Sequence, residues 1–197
     1  GGSDSRSSQC STSTVDLSTI MDATLPVGRC VGVSLPEDLT PEVMEVAGME
    51  LLPEELSFCE CLPKTSQIGF IGGRVAIRRA LKQDSGRVGA ILRNPAGAPL
   101  LPVDIKASIS HKRNLAVAIV QTNCVGEIGV DIERPAVHRH PNLQRRVLTE
   151  PERSGLGSVP GLPWEEEVLL RFSFKEAFFK AAHPILARRI GFKEARV

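Results

Sequence analysis

The chain has 197 residues, 42% of them apolar, with 24 Lys+Arg against 23 Asp+Glu. That length and apolar fraction suit one large domain, or two small ones packed together, with a real core, and they exclude wholesale disorder. A net charge of +1, 4% aromatics without a single Tyr, and apolar runs far short of a bilayer span argue against a nucleic-acid platform and against a membrane protein.

Residues 1–14, GGSDSRSSQCSTST, are Ser/Thr/Gly-rich and without apolar periodicity. They predict a flexible tail over residues 1–20, or, being Ser-rich, the remnant of a plastid transit peptide. From Val27 the pattern alternates, and VGRCVGVSLP reads as a strand ending at Pro36. Thr40-Pro41-Glu42 is a helix start, Thr as N-cap and Pro in the first turn. A second helix is predicted over Ser66–Lys82, with Ile68, Ile71, Val75, Ile77 and Leu81 as its buried side and Gly69, Gly72 and Gly73 weakening its first half.

The middle reads as strands at Val88–Leu92, Ala107–Ser110, Leu115–Gln121 and Glu127–Glu133. They are separated by Asn94-Pro95-Ala96-Gly97, by a hairpin turn at HKRN, and by Asn123-Cys124-Val125-Gly126. Pro141–Leu148 and Pro163–Ala182 read as helices, the second with Pro and three acids in its first turn and stopped by Pro184. Phe192–Val197 starts another strand. The order strand, helices, strands, then strands, helices, strand predicts an α+β fold of two similar halves, 21–112 and 113–197. The five cysteines, Cys10, Cys30, Cys59, Cys61 and Cys124, are odd in number and lack zinc-knuckle spacing. They read as free thiols of a reducing compartment, hence a cytoplasmic protein.

Four stretches carry chemistry. In Glu127-Ile-Gly-Val-Asp131-Ile-Glu133, side chains of an extended chain alternate, so Ile128, Val130 and Ile132 face a core while Glu127, Asp131 and Glu133 face away. Asp131 and Glu133 lie roughly 7 Å apart at Cα, near enough to share a hard cation such as Mg²⁺. Taken alone, the same alternation is also the ordinary look of a half-exposed strand. FSFKEAFFK (Phe172–Lys180) sets Glu176 and Lys180 one helical turn apart among four Phe, either a stabilising surface pair or a buried pair in need of partners. Arg74 and Arg78 are also one turn apart, a solvated basic face or a phosphate site. SISH ends a strand on Ser110 and His111, where His can donate to a phosphate or carboxylate. His138-x-His140 is a conceivable metal pair in what reads as an exposed loop.

These motifs in this order, an Arg-bearing helix, SISH, GVDIE and FSFKEAFFK, resemble the 4′-phosphopantetheinyl transferases, specifically the larger, single-chain, pseudo-dimeric class. The resemblance covers about Phe70 to Phe192. It implies two α+β halves related by a pseudo-two-fold, with coenzyme A in the cleft between them. It implies Mg²⁺- or Mn²⁺-dependent transfer of the phosphopantetheine arm to a serine of an apo acyl or peptidyl carrier protein, with release of adenosine 3′,5′-bisphosphate. A non-catalytic coenzyme A or nucleotide-binding protein of the same fold is the alternative. No nucleic-acid or membrane partner is expected, and the protein is expected to be a monomer.

In that family's pattern Asp131, Glu133 and Glu176 hold the metal. Glu176, or a water set by the carboxylates, takes the serine proton. Lys175 and Lys180 neutralise pyrophosphate oxygens, and Arg74, Arg78, Ser110 and His111 lie near the nucleotide. Three carboxylates converging without a cation would repel, raising the pKa of at least one. The sequence departs from the pattern at Ser66 and Gly69, where relatives often carry Arg and Glu and where Lys64 is the nearby base, and at Leu101, where a Trp is common. Relatives also continue with further strand after the KEA helix, so a truncated or minimal last strand is expected here.

Overall fold

The computed structural model describes residues 17–123, 126–135, 142–188 and 190–197. Four strands, β1 (Thr19–Leu25), β2 (Gly28–Ser34), β3 (Ile105–Lys112) and β4 (Leu115–Thr122), form one antiparallel sheet in the order β1-β2-β4-β3. The β3–β4 turn is Arg113-Asn114, with Arg113 in a left-handed conformation (φ 48°), while His111 and Lys112 of the expected HKRN turn are the paired end of β3. The boundary expected at 112/113 therefore falls inside a hairpin. Leu17 is a core residue and β1 begins at Thr19, so residues 17–20 belong to the fold rather than to a tail.

The two faces of the sheet are covered differently. Val31, Val33, Ala116, Ala118 and Val120 face helix α3 (Lys64–Leu81) and the main core. Cys30, Val117 and Ile119 face the opposite way and are covered by Ile128, Val130 and Ile132. Because β4 is covered on both sides it reads as an almost unbroken apolar run, LAVAIV. The alternation in residues 127–133 thus sorts the side chains as expected, but the segment is not a strand. It is extended and makes no ladder, running beside β3 through side chains instead.

Helix α3 lies directly on the sheet. A Cβ at Gly69 would meet the His111 ring at 2.6 Å, one at Gly72 would meet Leu35 Cδ2 at 2.2 Å, and one at Gly73 would meet Ile109 Cγ2 at 2.8 Å. The glycines lower helix propensity by about 1 kcal/mol each, and in exchange they let the helix approach the strands closely. Ile71, Val75, Ile77 and Leu81 form its buried side. Before it come α1 (Pro41–Gly48) and α2 (Pro53–Glu60). Thr40 caps α1 as predicted, its hydroxyl accepting from Val43 N at 3.4 Å.

Residues 88–92 form no strand, the only pairing nearby among the described residues being an isolated bridge from Arg93 to Pro99. Beyond the sheet come α4 (Leu143–Val147), α5 (Glu150–Ser154) and the long α6 (Trp164–Leu186). Helix α6 runs through Pro184 and ends at Ala187 in a left-handed conformation. Residues 192–197 make turns rather than the expected strand. The architecture is mixed α/β, and among the described residues only one sheet is present. A second sheet, and with it a two-fold between halves, is not among them. The tail at 1–14, Cys124, the His138-x-His140 pair and the start of the helix expected from Pro141 lie outside the described residues. Among the described residues no helix is long and apolar enough to cross a membrane.

Candidate functional site

The polar face of β3 presents Lys106, Ser108, Ser110 and Lys112 at every second position, and the 127–133 segment runs parallel beside them. Lys106 pairs with Glu127 at 2.8 Å. Ser108 Oγ accepts from Val130 N at 3.1 Å, standing in for a missing ladder bond. Ser110 Oγ donates to Asp131 Oδ1 at 2.8 Å, and Lys112 Nζ donates to Glu133 Oε1 at 2.8 Å.

Helix α6 meets the same segment from the other side. A Cβ at Gly129 would lie 1.8 Å from Ala177 O, so only Gly lets the two backbones touch. That contact brings the two distant motifs together. Ser173 Oγ donates to Asp131 Oδ2 at 3.0 Å, and Lys180 Nζ donates to Asp131 Oδ1 at 2.8 Å and to Val130 O at 2.9 Å. Ser173, Glu176 and Lys180 are spaced i, i+3, i+7 and share a helix face. Gly129→Ala should therefore push the segment off α6, losing about 1–3 kcal/mol. The check is a thermal melt together with hydrogen exchange, which should quicken at residues 126–133. An unchanged melt would show that the backbones need not touch.

Glu176 is half-buried in the middle of this group. Burial, then the charge of Asp131 and then that of Glu133, push its carboxyl above the ordinary carboxylate range against the opposing pull of Lys180 and Lys112. The like charges acting on Glu176 are thus those of Asp131 and Glu133. His111 sits on Gly69 with its imidazole pushed down by burial and by the neighbouring ammoniums of Lys180 and Lys112. A cavity of about 680 Å³ opens beside the group, between residues 94–103, β3 and the C-terminal turns of α6, with Lys180, Ser108 and Phe179 in its wall. A second, of about 370 Å³, shares Phe179 and His183 with the first and is also lined by Glu176, Arg188 and Phe192.

Asp131, Glu133, Ser110, His111, Glu176 and Lys180 are thus gathered in one place. Three other expected site residues are not. Arg74 is buried, stacked on Phe70, and its guanidinium donates to Ile91 O at 2.8 Å and Leu92 O at 2.9 Å. Burial pushes that guanidinium down to about 10, against the pull of Glu55. Arg78 is buried against Glu55, at 2.9 Å, and also donates to Gly89 O at 3.0 Å. The anion paired with Arg78 here is the Glu55 carboxylate, and Arg74 is bonded to backbone carbonyls.

Lys175 is the third residue placed apart from this group. It is fully enclosed, and its ammonium donates to Glu152 Oε2 at 2.8 Å, Phe192 O at 2.8 Å and Val147 O at 3.0 Å, leaving no proton for pyrophosphate. Burial alone would raise the Glu152 carboxyl, yet Lys175, Val197 N and Thr149 together hold it at about 2. Sequence reasoning gave no role to Ser173, Lys112 or Glu152. Ser173 was accessible through its helical spacing with Glu176 and Lys180, and Lys112 through its alternation with Ser108 and Ser110. Glu152 has no such signal beyond the Thr149-x-x-Glu152 cap.

Oxygen donors in three mutually repelling carboxylates suit a hard divalent cation in kind. In the arrangement seen, the counter-charges are the ammoniums of Lys180 and Lys112, and among the described residues no three acidic, His or Cys side chains stand ready around a single ion.

A family profile described as 4'-phosphopantetheinyl transferase N-terminal domain matches residues 55–121, and one described as 4'-phosphopantetheinyl transferase superfamily matches residues 127–197. The chain is 32% identical over 133 residues to 4'-phosphopantetheinyl transferase Npt of Nocardia iowensis, covering 65% of this chain and 57% of that protein. It is 30% identical over 111 residues to enterobactin synthase component D of Salmonella austin, covering 56% and 45%. It is 28% identical over 181 residues to 4'-phosphopantetheinyl transferase PptT of Mycobacterium tuberculosis, covering 88% and 78%. The matches thus span about half the length of the first two relatives. The two profiles adjoin where β4 gives way to the segment bearing Asp131 and Glu133, and the chain belongs to the 4'-phosphopantetheinyl transferase superfamily.

Proposed function

We propose that this chain transfers the 4′-phosphopantetheine arm of coenzyme A to a serine of an apo acyl or peptidyl carrier protein, releasing adenosine 3′,5′-bisphosphate. The observation that carries this reading is the convergence of Ser110, Ser173 and Lys180 on Asp131, from β3, the 127–133 segment and α6, with Glu176 in electrostatic reach of Asp131 and Lys180 and with Lys180 in the wall of an open cavity. In the proposed step the serine Oγ bonds to the β-phosphorus of coenzyme A. The bond from that phosphorus to the bridging oxygen breaks, and the adenosine bisphosphate leaves with the electron pair. Glu176 takes the serine proton, a role to which its raised pKa is suited because a stronger base near neutral pH is a better proton acceptor. Lys180, on the cavity wall, supplies positive charge to the pyrophosphate oxygens, and Ser110 and Ser173 hold Asp131 in place. His111, kept mainly neutral by burial and two ammoniums, donates to the nucleotide end through a ring N–H.

Asp131, Glu133 and Glu176 are the residues that would hold Mg²⁺. When bound, that ion neutralises charge on the pyrophosphate and its leaving group. The pseudo-two-fold of the family class and the monomeric state belong to the same reading. The test is incubation with coenzyme A, Mg²⁺ and an apo carrier protein, read by intact-mass spectrometry. A gain of one phosphopantetheine per carrier, abolished by chelator and restored by Mg²⁺ or Mn²⁺, is the expected result. Tight coenzyme A binding with no mass gain across a panel of carriers would leave a binding protein instead.

A further inference from the structure

Lysine is the first letter of the KEA motif, yet Lys175 is the largest fully buried side chain among the described residues. An ammonium has three protons and no acceptor. All three are used, on Glu152 Oε2, Val147 O and Phe192 O. The Glu152 carboxylate is just as fully occupied. The same Oε2 accepts from Thr149 N at 2.7 Å and Thr149 Oγ at 2.8 Å, and Oε1 accepts from Val197 N at 2.8 Å. The pair joins the end of α4, the start of α5, the middle of α6 and the C-terminal segment at one point. Packed around it are Val147, Leu148, Val168, Phe172 and Phe192, with the Phe192 ring 5.4 Å from Phe172 and 5.3 Å from Phe179.

At about 100° per residue, Lys175 projects roughly opposite Ser173 and about 140° from Lys180 on α6. Its anchorage therefore fixes the rotation of the helix about its axis. We propose that Lys175 is a positioning residue: clamped by Glu152, it sets the roll of α6 that presents Ser173, Glu176 and Lys180 to Asp131, and it does not touch the phosphates of the substrate. This rests on the transferase reading for its consequence in catalysis, but the clamp itself stands on the contacts. For Lys175 to reach a phosphate it would have to break three hydrogen bonds and leave Glu152 charged and enclosed without a partner, the costly way to break a buried pair.

The decisive variant is Glu152→Gln, which keeps the side-chain shape, removes the counter-charge and lies on the opposite side of α6 from the proposed chemistry. It should lower turnover at least tenfold with the dissociation constant for coenzyme A changed less than twofold. Hydrogen exchange should quicken at least tenfold at residues 147–154 and 192–197. Lys175→Met should behave alike, and the double variant Lys175→Met/Glu152→Gln should recover at least tenfold in turnover over Lys175→Met, because neither charge is then left unpaired. If Lys175 alone fails to fold as Met, the Glu152→Gln result and the double variant still decide. The proposal is overturned if Glu152→Gln turns over as the wild type does, or if Lys175→Met weakens coenzyme A binding tenfold or more and the double variant stays equally weak. Were the wild type to transfer nothing to any carrier, the transferase reading would fall. The clamp would then be judged by the exchange and binding data alone, unaltered exchange in Glu152→Gln removing it.

Discussion

Glu176→Gln should lower turnover by about 10²–10⁴-fold, the range for loss of a general base, while the protein melts no lower than the wild type in metal-free buffer. The two halves of that expectation come from one fact. Burial and the charges of Asp131 and Glu133 raise the Glu176 pKa above the ordinary value of 4.5, so its anion is less stable in the folded chain than in the unfolded one. An acid with a raised folded pKa costs stability wherever it is ionised in both states. That cost is complete above the folded pKa and disappears as pH falls to the unfolded value. The neutral Gln never carries it. The melting advantage of Glu176→Gln should therefore be present at neutral pH and vanish below about pH 4.5. Since the lost interaction is with the reacting proton, kcat and kcat/KM should fall together. A variant that keeps wild-type turnover would remove Glu176 from the chemistry, and one that melts well below the wild type at neutral pH would show that its carboxylate stabilises the fold.

The gathering of the site was legible because two local patterns happened to face each other. Ile128, Val130 and Ile132 announce which way Asp131 and Glu133 point whether or not the segment joins a ladder, since alternation follows from an extended backbone alone. The spacing of Glu176 and Lys180 likewise needs only a helix. What escaped was everything that depends on a partner far along the chain. Two arginines one turn apart look like an anion site, and they are one, but the acceptors are Glu55 from α2 and carbonyls of residues 89–92. Nothing local to Arg74 or Arg78 distinguishes a carboxylate of the same chain from a phosphate. Residues 88–92 are apolar enough for a strand, yet the Gly89, Ile91 and Leu92 carbonyls and the Ile91 N–H are engaged by those side chains, and only Leu92 O also accepts from a neighbouring segment, at Leu100 N. β1 escaped because its apolar residues Ile20, Met21 and Leu25 lie on an edge, are exposed, and follow no alternation. α2 and α5 are too short for helical periodicity to show, and their starts are fixed by Glu55 and Glu152 reaching back to the chain three residues earlier.

Arg78→Met separates the two readings of the basic helix most sharply. Arg78 donates through Nε at 3.1 Å and Nη2 at 2.9 Å to Glu55 Oε2, and the two side chains are 6% and 0% exposed. Glu55 also accepts from Leu52 N at 2.7 Å and Ile91 N at 2.8 Å, so the carboxylate ties the start of α2 and the loop before β3 to α3. Removing the guanidinium leaves that carboxylate enclosed with two amides and no cation bonded to it, the nearby Arg74 being engaged with carbonyls. Breaking a buried pair from one side costs about 3–5 kcal/mol, which for a chain of this size lowers the melting temperature by about 10 °C. Methionine fills much of the volume, so the loss would come from charge and hydrogen bonding more than from a void. Adding Glu55→Gln should return part of the stability, because the stranded charge goes while an amide oxygen still serves one of the two N–H groups. Below its melting range Arg78→Met should bind coenzyme A as the wild type does, since the arginine faces the core and not the cavity beside Lys180. A phosphate ligand would give the reverse: an unchanged melt and an apparent KM for coenzyme A raised tenfold or more, the loss expected for one charge-assisted contact.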